Sequence, residues 1–299
     1  MLLVSNTVNE LVSCTDISIA SRGGGVIRGT ERTPSGINPR ALVVIHPATA
    51  VPERLYSGFA EYLAEQGFAV VTYDYRGTGR SGSPRQNRGM RMRDWMDQDV
   101  PDVAEWAAMR HPNLQRFAIG HSVGAHALAL GSGIDGVSAM VSIASHAGVT
   151  ATVSGAVERA KVWLVLNMLG PMAARGLGYV PGRRMGLGED MPAAAMLEWS
   201  RWSRLPGYFF DDPTMRAGER AAQVTVPMLS IGFSDDPWAT PQQIDAITDH
   251  MTSADVERRT YSPEDFGVAA IGHMGFFRRG LRDGLWPEVA NWLERRIGV

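Results

Sequence analysis

The stretch RFAIGHSVGAHALAL, residues 116–130, climbs through apolar residues, turns on GHSVG and leaves as an Ala- and Leu-rich run. Its reading decides the fold, because Ser122 is either a nucleophile on a sharp turn or an ordinary serine among glycines. The pattern GxSxG is not enough: with 33 Gly and 20 Ser in 299 residues, chance supplies roughly 0.25 matches. Context adds weight. QRFAIG has the composition of a short buried strand, and VGAHALALG is a small-residue segment of high helix propensity. Strand, turn and helix with Ser at the apex form a nucleophile elbow, in which a strained backbone pushes Oγ outward. Gly120 and Gly124 would permit the close strand–helix approach that such a turn demands.

Around this centre, strands and helices alternate. ELVSCTDISIA and GVIRGTER are read as opening strands joined by the SRGGG turn. ALVVIH (41–46) and FAVVTYD (68–74) are buried strands flanking the helical PERLYSGFAEYLAEQG, which closes on Gly67. DVPDVAEWAAMR is a helix with Asp99 expected as its N-cap and Pro101 in its first turn. VSAMVSIAS, VPMLSIG and DVERRTYSP supply further strands. The alternation predicts a mainly parallel sheet covered by helices on both faces. Residues 146–225 break the rhythm, with no clear strand over about 80 residues. They are expected to form a helical cap on a core of residues 1–145 and 226–299. Trp163, Trp199, Trp202, Tyr208, Phe209 and Phe210 lie in it, and the first four are expected to wall a substrate pocket.

Composition removes other classes. A net charge of −2 gives no overall reason to bind nucleic acid or an anionic membrane. Of 29 basic residues only Lys161 is lysine. The single cysteine, Cys14, excludes an internal disulfide and a cysteine-based zinc site, and no metal is expected. MLLVSNTVNELV lacks the charged start and long apolar core of a secretory signal, and no apolar run is long enough to span a bilayer, so a cytoplasmic protein is expected. Oligomeric state is not legible. GTGRSG (77–82) and GSGIDG (131–136) both match the dinucleotide pattern GxGxxG. The first is followed by no apolar helix and by no strand-end acid about 20 residues on, and the second follows a helix rather than a strand, so no cofactor is expected.

A nucleophilic Ser122 needs a base and an orienting acid. Six histidines (His46, His111, His121, His126, His146, His250) fall at strand ends, on the elbow, in loops or beside helical segments. His273 differs: it sits in VAAIGHMGFF beyond the last strand, between Gly272 and Gly275. SIGFSDDPWATP places Asp235 and Asp236 just after a buried strand. The order Ser, Asp, His is that of the α/β-hydrolase fold.

IHPATAVPERLYSGFAEYLAEQGFAVVTYDYRGTGRSG, HPNLQRFAIGHSVGAHALAL, WSRWSRLPGYFFDDP, SDDPWATP and IGHMGFFRRG together resemble a branch of α/β hydrolases related to the serine aminopeptidase and monoglyceride-lipase-like group, over nearly the whole chain. The resemblance implies Ser122 as nucleophile, His273 as base and one of the Asp pair as acid. The DPWATP pattern points to Asp236, whereas counting three residues from Gly232 points to Asp235. Oxyanion donors are expected from the Val123 amide and the loop after VVIH. Many relatives carry Gly after that His, but here Pro47 has no N–H, so Ala48 is the second donor. Asp74 and Arg76 are assigned to fixing the DYRGTGRSG loop, with an Arg76 carboxylate clamp as the lesser alternative. The expected activity is hydrolysis of a small or medium, largely apolar ester. Acyl transfer, thioester or lactone cleavage and a non-catalytic binding protein are the alternatives.

Overall fold

In the computed structural model, which describes residues 11–185 and 188–298, the chain opens with an antiparallel hairpin. It joins β1 (Val12–Ala20) to β2 (Val26–Pro34); the expected strand start at Glu10 lies outside the described residues. There follow β3 (Ala41–His46), α1 (Ser57–Glu65), β4 (Phe68–Asp74), α2 (Met92–Asp94), α3 (Val100–Arg110), β5 (Gln115–His121), α4 (Val123–Ala129) and β6 (Val137–Ile143). Next come α5 (Ala156–Leu164), α6 (Gly170–Leu177), α7 (Gly182–Met185), α8 (Ala193–Trp202) and α9 (Ala217–Ala222), with a two-residue ladder of β7 (Tyr179–Val180) and β8 (Met191–Pro192). The chain then returns through β9 (Met228–Phe233), α10 (Pro241–Thr248), β10 (Val256–Tyr261), α11 (Gly272–Gly275) and α12 (Leu285–Glu294).

The eight long strands form one sheet in the order β1-β2-β4-β3-β5-β6-β9-β10. Only β2 is reversed, pairing antiparallel with β1 on one side and β4 on the other; β4, β3, β5, β6, β9 and β10 are mutually parallel. The central strands ALVVIH, FAVVTYD and MLSIGF are buried at every residue, as a sheet covered on both faces requires. Side chains still alternate. Leu42 and Val44 pack with Trp95, Val103 and Leu128 on one face, while Ala41, Val43 and Ile45 pack with Phe59, Leu63 and Trp286 on the other. The edge strands β1 and β10 are mostly half-buried or exposed, as befits single-sided cover.

One expectation fails here. Asp99 does not cap α3: its backbone is already helical, and a one-turn π segment, Trp95–Asp99, runs α2 into α3. The sequence signal was misleading because a buried ion pair claims this carboxylate. Asp99 accepts the Arg76 backbone N–H at 2.8 Å and its Nε–H at 2.6 Å. Arg76 is 1% exposed and also donates to the Gly24 carbonyl and Gln98, which leaves no guanidinium for a substrate clamp. Asp74 accepts the backbone N–H groups of Glu53 and Arg80. Both residues hold the loop after β4, as expected.

Candidate active site

Ser122 sits between the last residue of β5 and the first of α4. Its φ of 50° and ψ of −114° lie where non-glycine residues are rarely found, a strain that persists only when the surroundings impose it. They do so here. The Ser122 N–H donates to the Ile143 carbonyl at 3.1 Å, and its own carbonyl accepts Ala125 N–H, His126 N–H and the Ser145 hydroxyl. A Cβ on Gly120 would overlap the backbone of Ala125, and one on Gly124 would overlap the carbonyl of His46. Both glycines are therefore needed for the elbow to close. Val123 opens α4, so its N–H has no carbonyl four residues back within the helix and points from a helix N-terminus.

The two aspartates after β9 act on the same segment in different ways. Asp235 accepts the backbone N–H groups of Ile271 (2.8 Å) and Gly272 (2.9 Å), which pins the entry to α11. Asp236 is buried; its Oδ1 accepts the amides of Trp238 (2.9 Å) and Ala239 (3.1 Å), and its Oδ2 lies 2.7 Å from His273 Nδ1. Burial alone would raise the Asp236 carboxyl, but the hydrogen bond and charge of His273 and the amide donors bring it down to about 2. The carboxylate can only accept, so His273 donates Nδ1–H to it and Nε2 is left outside that contact. Of the two expected acids, Asp236 meets the ring and Asp235 meets the backbone. Among the described residues no hydrogen bond joins the Ser122 hydroxyl to His273. Contacts between such partners are commonly long until substrate draws them together.

A buried relay connects the loops on either side. His121 Nε2–H donates to the His273 carbonyl at 3.0 Å, so its Nδ1 accepts the Tyr56 hydroxyl at 2.9 Å. The Tyr56 oxygen in turn accepts the Ala48 N–H at 2.8 Å. This revises one expectation: the Ala48 amide is not a free donor in this conformation, because a buried phenol already satisfies it. Neither Tyr56 nor His121 was singled out from the sequence, where a tyrosine in a helix start and a histidine beside a serine carry no mark of such a role.

Beside this rim lies a cavity of about 1000 Å³, at the upper end for small-molecule pockets. Val153, Val162, Val165, Leu166, Met191 and Met196 give it apolar walls, and Thr49, Ala50, His146, Trp238 and Met274 bring it to the core loops. Neither Ser122 nor His273 lines it, but His273 adjoins it through two neighbours. The rings of His146 and Trp238 lie 5.2 and 5.4 Å from that of His273, centroid to centroid, and both line the cavity. The expected aromatic wall divides. Trp199 lines the cavity. Trp163 is 51% exposed on α5, whereas Trp202 and Tyr208 are fully buried, Trp202 donating to Asp212 at 2.9 Å. Trp163, Trp202 and Tyr208 are thus corrections to the sequence reading: an aromatic in a helical segment can face solvent or core as readily as a pocket.

Comparison with known proteins fits this geometry. Residues 37–187 match the family described as serine aminopeptidase, S33. A monoacylglycerol lipase of Mycolicibacterium smegmatis is 28% identical over 270 residues, covering 82% of this chain and 87% of that protein. A carboxyl esterase from Bacillus coagulans superposes with a TM-score of 0.59 at 17% identity, over 95% of this chain and 99% of that one. The Pyrococcus furiosus esterase Pf2001 gives 0.59 at 16% identity over 96% and 94%. These structures share the α/β-hydrolase fold. Among the described residues no helix is long and apolar enough to cross a membrane. With the family match spanning half the chain and the fold shared along nearly all of it, the chain belongs to the serine aminopeptidase S33 family of α/β hydrolases.

Proposed function

We propose that the chain hydrolyses a largely apolar carboxylic ester through an acyl-enzyme, with Ser122 as nucleophile, His273 as base and Asp236 as the orienting acid. The observation that carries this reading is the 2.7 Å contact of His273 Nδ1 with an ionised Asp236, beside a serine held at φ 50° on a strand–helix turn. With Nδ1–H committed to the carboxylate, Nε2 takes the Ser122 proton as Oγ attacks the carbonyl carbon, and the Asp236 charge stabilises the imidazolium that forms. The tetrahedral oxyanion is met by the Val123 N–H. The Ala48 N–H exchanges its Tyr56 partner for the oxyanion, an exchange favoured because hydrogen bonds to charged acceptors are about twice as strong as neutral ones. His273 then protonates the leaving alcohol and activates the water that releases the acid.

Residues 146–225 serve in this reading as the lid over the site, and the apolar walls from α5 to α8 hold the acyl chain. The similarity to a monoacylglycerol lipase supports an acyl ester of a small alcohol as the substrate class. Intact-mass spectrometry after treatment with a fluorophosphonate tests the proposal. One adduct on the wild type and none on Ser122→Ala is the expected result; no adduct on folded wild-type protein would remove Ser122 as an activated nucleophile.

A further inference from the structure

His146 has no part in the chemistry above, yet the fold presents it to the site with unusual care. It lies three residues past the end of β6, on a turn that begins at Ala144 with a φ of 48°. A strained non-glycine residue persists only where its surroundings over-determine it, and such residues gather at functional sites. The turn is pinned on every side. Ala144 N–H donates to the Ile231 carbonyl, Ala147 N–H to the Gln243 carbonyl, and Ser145 Oγ–H to the carbonyl of Ser122 itself. His126, buried under the turn, donates from Nε2 to the His146 carbonyl at 2.9 Å. The result is a buried imidazole in the cavity wall, edge-on to His273 with ring centroids 5.2 Å apart.

The charged residues that line the cavity, Arg54, Glu158, Lys161 and Arg278, are exposed or half-exposed at its mouth. The deeper walls are apolar, so His146 is the buried polar side chain that the cavity wall presents next to His273. Its Nδ1 faces the Ala144 carbonyl at a long 3.3 Å, which leaves Nε2 for the cavity. Burial lowers its basicity to about 4, with the nearby His273 adding to the effect, so the ring is neutral at ordinary pH. The Ala144 carbonyl only accepts, so Nδ1 carries the proton and Nε2 presents a lone pair to the cavity, which a carboxylate or a fully ionised phosphate, having no proton to give, does not satisfy. An uncharged hydroxyl donates to it without bringing a charge into the apolar wall.

We propose that His146 is a substrate-contacting specificity residue, selecting esters that carry a free hydroxyl close to the scissile bond. This rests on the ester-hydrolase reading above. The test uses the full chain and two matched pairs: the para-nitrophenyl esters of butyrate and beta-hydroxybutyrate place the hydroxyl on the acyl side, and propyl and hydroxyethyl butyrate compare it on the alcohol side. The wild type should favour the hydroxylated member of one pair by roughly tenfold in kcat/KM, the worth of one hydrogen bond. His146→Phe should bring that ratio to about one while fluorophosphonate labelling still reports a folded, reactive site, and His146→Gln, which can still donate and accept, should retain part of it. His146→Leu takes the place of the Phe variant if that one fails to fold. A wild-type ratio near one in both pairs, or a ratio that survives loss of the imidazole, overturns the proposal. Absence of turnover on every ester would overturn the ester-hydrolase reading instead.

Discussion

The rim that carries His273 and the helices α5 and α6 differ in what holds them. On the rim, Asp235, Asp236, His121 and Tyr56 fix both side chains and backbone through hydrogen bonds of 2.7–3.0 Å. No residue of α5 is buried, and Val157, Trp163, Leu164, Met168, Leu169, Met172 and Leu177 all expose apolar surface along residues 157–177. The rim has the features of a region whose geometry must be exact to a fraction of an ångström. The helices have the features of one that is held loosely, with few buried apolar contacts and a correspondingly low local stability.

The sharpest way to break this contrast is at the serine. Ser122→Ala should lower ester turnover by at least roughly 10⁴-fold in kcat, leaving only what binding and the oxyanion donors supply. A steady-state assay with an active-site titration of the wild type checks it, and near-normal activity would show that the rim is scaffolding rather than machinery.

The paired aspartates come next and separate ring orientation from backbone support. Asp236→Asn replaces the acceptor of His273 Nδ1–H with an amide that can present a donor, so the wrong tautomer is favoured; a loss on the order of 10⁴-fold is expected. Asp235→Asn weakens two amide contacts to Ile271 and Gly272 and displaces the base only slightly, for a loss of about 10²-fold at most. Equal effects from the two variants would mean that the 2.7 Å ring contact does not set the chemistry.

A third test concerns what the rim requires of pH. His46, His121, His126 and His146 are buried, and desolvation pushes His46 and His126 down to about 3, His146 to about 4 and His121 well below the ordinary value. Unfolded histidines take up protons near pH 6.5, while these four refuse them until far more acid conditions. Below about pH 6.5 the unfolded chain therefore binds more protons than the folded one. Stability is full above that pH and declines as the pH falls towards about 4, by up to about 1.4 kcal/mol per pH unit for each histidine. Urea unfolding at about pH 7.5 and about pH 5 should show a lower midpoint at the acid pH with an unchanged slope.

The same contrast explains what was legible in the sequence. The elbow could be read because strand, Gly120, Ser122, Gly124 and helix are contiguous, and backbone sterics act locally. The parallel sheet could be read because its strands are continuous apolar runs. The choice between Asp235 and Asp236 could not be made by counting, since both follow β9 and only the tertiary position of α11 assigns one to the ring and one to the backbone. Asp99 misled for the same reason: a cap-forming residue type stood where a distant arginine needed a carboxylate. His146 carried one signal that could have been used, a histidine just beyond a parallel strand, where ligand sites gather. The Tyr56 and His121 relay carried none, because three elements meet there.

The tryptophans of the insertion give the finest test, since one residue type occupies three environments within 40 positions. Trp202 is wholly buried, with its indole N–H on Asp212, so Trp202→Ala should cost about 3–5 kcal/mol of stability and lower Tm. Trp199 lines the cavity, and its truncation removes apolar contact from one wall. Trp199→Ala should raise KM for long-chain esters roughly tenfold, with little change for short ones. Trp163 is half exposed and does not line the cavity, so Trp163→Ala should leave Tm and chain-length preference within error, in line with surface substitutions that stay within about 0.5 kcal/mol. The informative failure is the last of these. If Trp163→Ala shifts chain-length preference as Trp199→Ala does, then α5, whose inner face already lines the cavity, turns its outer face inward when substrate binds.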